Sequence, residues 1–173
     1  MKNLFIIGMM GSWKSTVGCK LAETLDIEYV DMDDAIEEVT KMKISDIFSD
    51  FGEDRFREME TAFFIEKAKQ EDQVFSTGGG IVLNPENRKV LKYGTTFFLN
   101  ASTNTLANRI HNTTKRPLLA NSENLETCLE KIWNERKSLY IGSAHHTIDT
   151  NNLTPAQVLD EILNLLKVPL ANH

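Results

Sequence analysis

The chain has 173 residues, with 25 Asp+Glu against 19 Lys+Arg (formal net charge −6), and is 41% hydrophobic and 25% charged. That length suits one domain burying about 70% of its unfolded surface, so no disulfide or structural metal is needed. The composition argues against disorder, and the acidic balance against broad binding to nucleic acid or an anionic membrane. A small anion gripped by a few placed cations remains compatible with it.

Leu4–Ile7 is a short apolar run stopped by Gly8, the pattern of a buried strand in a parallel sheet. Val17, Leu21 and Leu25 recur at helical spacing, so a helix is predicted from about Lys14. Ile27–Val30 reads as a second strand ending at Asp31, followed by helical periodicity around Ile36, Ile44 and Ile47. A longer helix is expected over 53–69 with Phe56, Met59 and Phe63 inward, then a third strand at Gln73–Ser76 stopped by Gly78–Gly80. Thr95–Leu99 is the fourth strand, with a helix from Ser102 to about Ile110. The polar stretch 111–124 carries Arg116-Pro117 and has the composition of a mobile loop.

Leu125, Leu129, Ile132, Trp133 and Arg136 mark the next helix, and His146–Ile148 the fifth strand. Thr154, Pro155 and Gln157 form a capping-box pattern ahead of Val158, Leu159 and Ile162, which opens the last helix. Strands alternate with helices throughout. The expected fold is α/β, a five-stranded parallel sheet sandwiched by helices, in one domain over 1–173. Cys19 and Cys128 lack metal-ligand spacing and read as buried free thiols of a reducing compartment. His111, His145, His146 and His173 share no ligand spacing either. No run approaches the ~18 apolar residues of a membrane span, and the N-terminal stretch is too short for a signal peptide, so a soluble cytoplasmic chain is expected.

Gly8-Met9-Met10-Gly11-Ser12-Trp13-Lys14-Ser15-Thr16 lies between the first strand and the first helix and meets the P-loop pattern at Gly8, Lys14 and Ser15. Backbone N–H groups of such a loop curl round a phosphate, Lys14 reaches its oxygens, and Ser15 can ligate Mg²⁺. Gly11 through Thr16 are therefore candidate nucleotide contacts. Trp13 stands where the pattern has its last glycine, at a cost of order 1–3 kcal/mol if φ is positive there. The loop is either remodelled or weakened in nucleotide binding.

Asp31-Met32-Asp33 follows the second strand, where carboxylates two apart on extended chain share a face. One could help hold Mg²⁺ or accept a hydroxyl proton while the other hydrogen-bonds substrate hydroxyls, although acidic residues at a strand end often simply cap the next helix. Arg57 and Glu60 are spaced to pair on one helix face, and Gly78-Gly79-Gly80 lets backbone approach a ligand closely.

With Arg116-Pro117-Leu118-Leu119 and Glu135-Arg136-x-x-x-Tyr140 added, this ordered set resembles the shikimate kinases over almost the whole chain. The resemblance implies a nucleoside-monophosphate-kinase-like P-loop fold with a lid at about 111–124, and transfer of the ATP γ-phosphoryl group to the 3-hydroxyl of shikimate. It implies that Asp33 binds the shikimate hydroxyls, and that Arg57 and Arg136 grip its carboxylate. Gly78, Gly79 and Gly80 would line that pocket, with Glu60 orienting Arg57. Ser15 and Asp31 would hold Mg²⁺, Arg116 would descend on the phosphates with Lys14, and Arg109 and Pro155 would flank the adenine. The implied partner is shikimate alone, with no nucleic acid or membrane, bound by a cytoplasmic monomer. Two alternatives stay open: a related small-molecule kinase such as a gluconate kinase, and a catalytically dead binding protein, for which Trp13 is the sole sign.

Overall fold

The computed structural model describes residues 1–110 and 124–168. Strands β1 (Leu4–Ile7), β2 (Glu28–Asp31), β3 (Gln73–Ser76), β4 (Thr95–Asn100) and β5 (His146–Asp149) form one sheet in the order β2-β3-β1-β4-β5. Every pairing is parallel; Phe5, in the central strand, sits opposite Phe75 on one side and Thr96 on the other. The helices are α1 (Lys14–Leu25), α2 (Met32–Thr40), α3 (Ile44–Lys67), α4 (Pro85–Tyr93), α5 (Thr103–Arg109), α6 (Leu125–Ser143) and α7 (Pro155–Leu165).

A sheet covered on both faces needs strands apolar on both sides, and β1 meets that condition. Leu4 and Ile6 pack with Val17 and Leu21 of α1 and Val158 and Ile162 of α7. Phe5 and Ile7 face the other way, toward Phe64 of α3, Leu91 of α4 and Tyr140 of α6. Phe64 meets Phe5 and Phe75 edge-on at 5.4 and 5.8 Å, each such pair adding about 0.5–1.5 kcal/mol beyond its buried area.

The helix expected from 53 extends back to Ile44 and is kinked at Gly52, whose φ of 82° only glycine adopts without strain. Its inward stripe also differs from the expected one. Met59 and Phe63 are only partly buried, whereas Phe56, Glu60 and Phe64 are 3%, 0% and 0% exposed. A carboxylate thus occupies the middle of an apolar stripe. Helix α4 has no counterpart among the expected elements: only Leu91 and Asn87 are buried on it, too little for an apolar period. Its signal lies in the ends, where Asn84 accepts from the Glu86 N–H at 2.9 Å and Pro85 opens the first turn.

The capping box of α7 is as expected, with Thr154 Oγ1 accepting from Gln157 N and Gln157 Oε1 accepting from Thr154 N. Neither cysteine is in a disulfide among the described residues, and both are half-buried, not buried. His145 Nδ1 accepts from Thr96 N at 3.1 Å and His146 stacks on Phe97, so both serve the β4–β5 edge. The expected lid with Arg116, together with His111 and His173, lies outside the described residues; Asn124, at the end of that stretch, caps α6. No helix among the described residues is long and apolar enough to cross a membrane.

Candidate active site

A cleft of about 870 Å³ runs along the carboxyl ends of the strands, where ligands of open parallel sheets bind. The strand order divides it. The phosphate loop leaves central β1; Asp31 ends β2 and Gly78–Gly80 follow β3 on one side, and Arg109 and Thr150 follow β4 and β5 on the other.

The loop turns through positive φ at Gly8 (150°), Gly11 (80°) and Trp13 (69°). Gly11 also has little room for a side chain, since a methyl group there would lie 3.0 Å from Ile110 Cγ1 and 3.1 Å from the Leu106 carbonyl oxygen. Trp13 therefore keeps the left-handed backbone expected of glycine, at about 1–2 kcal/mol. It is the N-cap of α1 with no side-chain capping bond, which leaves the first N–H groups of that helix turned toward the cleft for an anion. Lys14 donates to the Met9 carbonyl at 2.9 Å, and Lys14, Ser15 and Thr16 line the cleft. Ser12 is fully buried and does not line it.

Ser15 Oγ donates to Asp31 Oδ2 at 2.8 Å. The other Asp31 oxygen caps α2, accepting from Asp33 N at 3.1 Å and Asp34 N at 3.4 Å. Asp33 is thus the second residue of a helix, not the end of an extended run, and Asp31 does cap that helix, as acidic residues at a strand end often do. Tyr29, missed in the sequence, donates to Asp31 Oδ2 at 3.1 Å; burial, then the Asp31 charge, push its phenol well above the usual range and keep it a donor. It could have been found two residues before Asp31 on the same strand face. Among the described residues no three His, Cys, Asp or Glu side chains converge on a metal position. Two oxygen donors suit a small hard cation that takes its other ligands from phosphate and water.

On the acceptor side, Arg57 Nη1 donates to Glu60 Oε2 at 2.9 Å and Nη2 to Glu53 Oε1 at 3.1 Å. Glu53, one turn earlier, is a second anchor that the sequence reading missed. Burial pushes the Glu60 carboxyl up and the Arg57 charge pulls it back; its Oε1 has no hydrogen-bond partner among the described residues. Arg136 of α6 is 5% exposed, lines the cleft, and likewise has an unpartnered Nε there. Both guanidinium groups close on the glycine loop. A methyl group on Gly80 would lie 2.2 Å from Arg57 Cζ, and one on Gly79 3.8 Å from Arg136 Nη1. Gly80 has an ordinary φ of −94°, so it is glycine for space and not for conformation. Gly80→Ala should drive Arg57 off its carboxylates and cost at least tenfold in acceptor KM, with the melting temperature lowered only slightly.

Tyr140 fixes the same loop, donating to the Gly79 carbonyl while its ring stacks on Phe98 at 5.0 Å. Burial pushes its phenol up to about 12 from 10.0. The unfolded chain therefore loses this proton first. Stability from Tyr140 is complete below pH ~10 and is lost as pH rises through about 12. Tyr140→Phe should flatten that alkaline slope in urea titrations. Phe48 and Phe56, 4.8 Å apart, wall the cleft beside Arg57. Of the expected site residues, Pro155 opens α7 but does not line the cleft, and Arg116 lies outside the described residues.

A family model for shikimate kinase matches residues 10–167. A shikimate kinase of Thermodesulfovibrio yellowstonii is 44% identical over 164 residues, covering 94% of either chain. The chain belongs to the shikimate kinase family. Among solved structures, the shikimate kinase of Acinetobacter baumannii in complex with shikimate is 36% identical, with a TM-score of 0.92 over 96% of this chain and 93% of that one. A gluconokinase of Sinorhizobium meliloti covers 95% of this chain and 91% of its own at a TM-score of 0.56, but at 17% identity it shares the fold alone. The wider P-loop kinase fold is therefore shared, while membership of the shikimate kinase family rests on both sequence and structure.

Proposed function

We propose that this chain is an ATP-dependent shikimate kinase, transferring the γ-phosphoryl group of ATP to the 3-hydroxyl of shikimate to give shikimate 3-phosphate and ADP. The observation that carries this reading is the pair of guanidinium groups, Arg57 and Arg136, closing on Gly78–Gly80 across from the phosphate loop. Planar forks suit a substrate carboxylate and explain how an acidic protein holds an anion. Glu60 and Glu53 hold the Arg57 fork in place. Asp33, at the cleft wall beside Gly78, accepts the hydroxyl proton as the acceptor oxygen attacks.

On the donor side, the N–H groups from Gly11 to Thr16 receive the phosphates, and Lys14 turns from the Met9 carbonyl to neutralise their charge. Ser15 and Asp31 would hold Mg²⁺, which supplies further charge neutralisation when bound. Arg109 flanks the base, and Arg116 adds a cation at the phosphates. The chain acts as one kinase domain over 1–173, as a monomer in the cytoplasm, with 111–124 as its lid.

Calorimetric titration tests the acceptor assignment: shikimate should bind without nucleotide, and gluconate should give no heat above dilution. Binding of gluconate with equal affinity would refute it. The second reading, a binding protein that has lost transfer, rests on Trp13 in the left-handed region and predicts shikimate binding without ADP formation.

A further inference from the structure

The Arg109 guanidinium sits over the indole of Trp13, with Cζ 3.4 Å from the ring centroid. Arg109 is held from behind. Its Nη1 donates to Thr150 Oγ1 at 3.0 Å and Nη2 to the Thr150 carbonyl, while Thr150 itself is bonded to the Asn100 carbonyl through N and Oγ1. The guanidinium therefore cannot follow its partner far, and the indole covers one of its faces at the cleft wall. The indole also packs, partly buried, against the core cluster of Val17, Leu21, Val158 and Ile162.

This contact stands where a nucleoside must go. On the kinase reading phosphates would take the loop after central β1 and the acceptor the side of β2 and β3. Only the side of β4 and β5 is left for the base, and Trp13, Arg109 and Ile110 bound the cleft there. An indole is a fused bicycle of nearly the size of a purine, and both stack on a guanidinium through the same face. Two rings cannot share it.

We propose that Trp13 is a built-in occupant of the nucleobase seat: its indole holds the stacking face of Arg109 in the free protein, and a purine nucleotide binds only by displacing it. The proposal rests on the kinase reading of the site. It makes Trp13 a determinant of nucleotide affinity through the base, not through the phosphates. The backbone of residue 13 already has the left-handed form that glycine would take, so the phosphate cradle is kept and the base seat alone is obstructed.

The test compares ATP with inorganic tripolyphosphate, which carries the charge without the base, on the full chain and its Trp13→Gly variant. Trp13→Gly should tighten ATP binding by at least tenfold (~1.4 kcal/mol) and change tripolyphosphate affinity by less than about threefold. Unchanged or weaker ATP binding would overturn the proposal, as would an equal gain for tripolyphosphate, which would place the effect in the phosphate loop. A second measurement needs no change at position 13. The chain has two tryptophans, so Trp133→Phe leaves Trp13 as the sole indole reporter. Saturating ATP should shift its emission as the indole leaves the guanidinium, and tripolyphosphate should not; an ATP-insensitive emission would also overturn the proposal. Shikimate binding is read separately by calorimetry, so a failed kinase reading is distinguishable from a failed base-seat reading.

Discussion

Replacing Asp33 with Asn should lower kcat by about 10²–10⁴-fold while leaving nucleotide affinity within about twofold. Asp33 stands on the first turn of α2, its N–H held by Asp31 Oδ1 at 3.1 Å. That bond uses backbone, so Asn keeps the helix start and the shape of the pocket. What it loses is an oxygen able to accept a proton. The phosphate loop belongs to β1 and α1 and is untouched by the change. Single-turnover transfer measured beside ATP calorimetry separates the two effects. A parallel loss of ATP affinity would take Asp33 out of the acceptor role.

Arg136→Ala should raise the KM for shikimate by about 10–100-fold, with kcat altered only a few-fold. A hydrogen bond to a charged group contributes about 1.5–3 kcal/mol, and this guanidinium is almost wholly buried beside Gly79. Arg136→Lys should recover only part of the loss, because a point charge cannot reproduce a planar fork. The role is thereby separated from simple charge balance with Glu60. An unchanged KM in the alanine variant would remove Arg136 from the substrate site.

Much of this arrangement was legible before the structure. The four residues of β3, the capping box of α7 and the phosphate loop were each written in short-range signals: an apolar run, a capping pair, and a glycine-rich spacing. Helix α4 was not, because its signal sits in its cap while its apolar face is nearly absent. Within the site, Arg57 with Glu60 could be read from helical spacing, yet the meaning of Glu60 depends on its lying in the buried stripe between Phe56 and Phe64. The Tyr140 bond to Gly79 and the stack of Trp13 on Arg109 join segments distant in the chain. Such contacts follow from strand order, which no local pattern carries. Asp33 shows the opposite lesson: it does line the cleft, but its backbone setting differs from the expected one, since β2 ends at Asp31 and α2 begins at Met32.

The most direct measurement is ADP release from ATP and Mg²⁺ as a function of shikimate, on the chain, its Trp13→Gly variant and an Asp33→Asn control. The expected result is a rate that is near zero without shikimate, rises with it to saturation, is faster in Trp13→Gly at limiting ATP, and disappears in Asp33→Asn. ADP release indifferent to shikimate in both the chain and its Trp13→Gly variant would contradict the assignment of this cleft to phosphoryl transfer onto that acceptor.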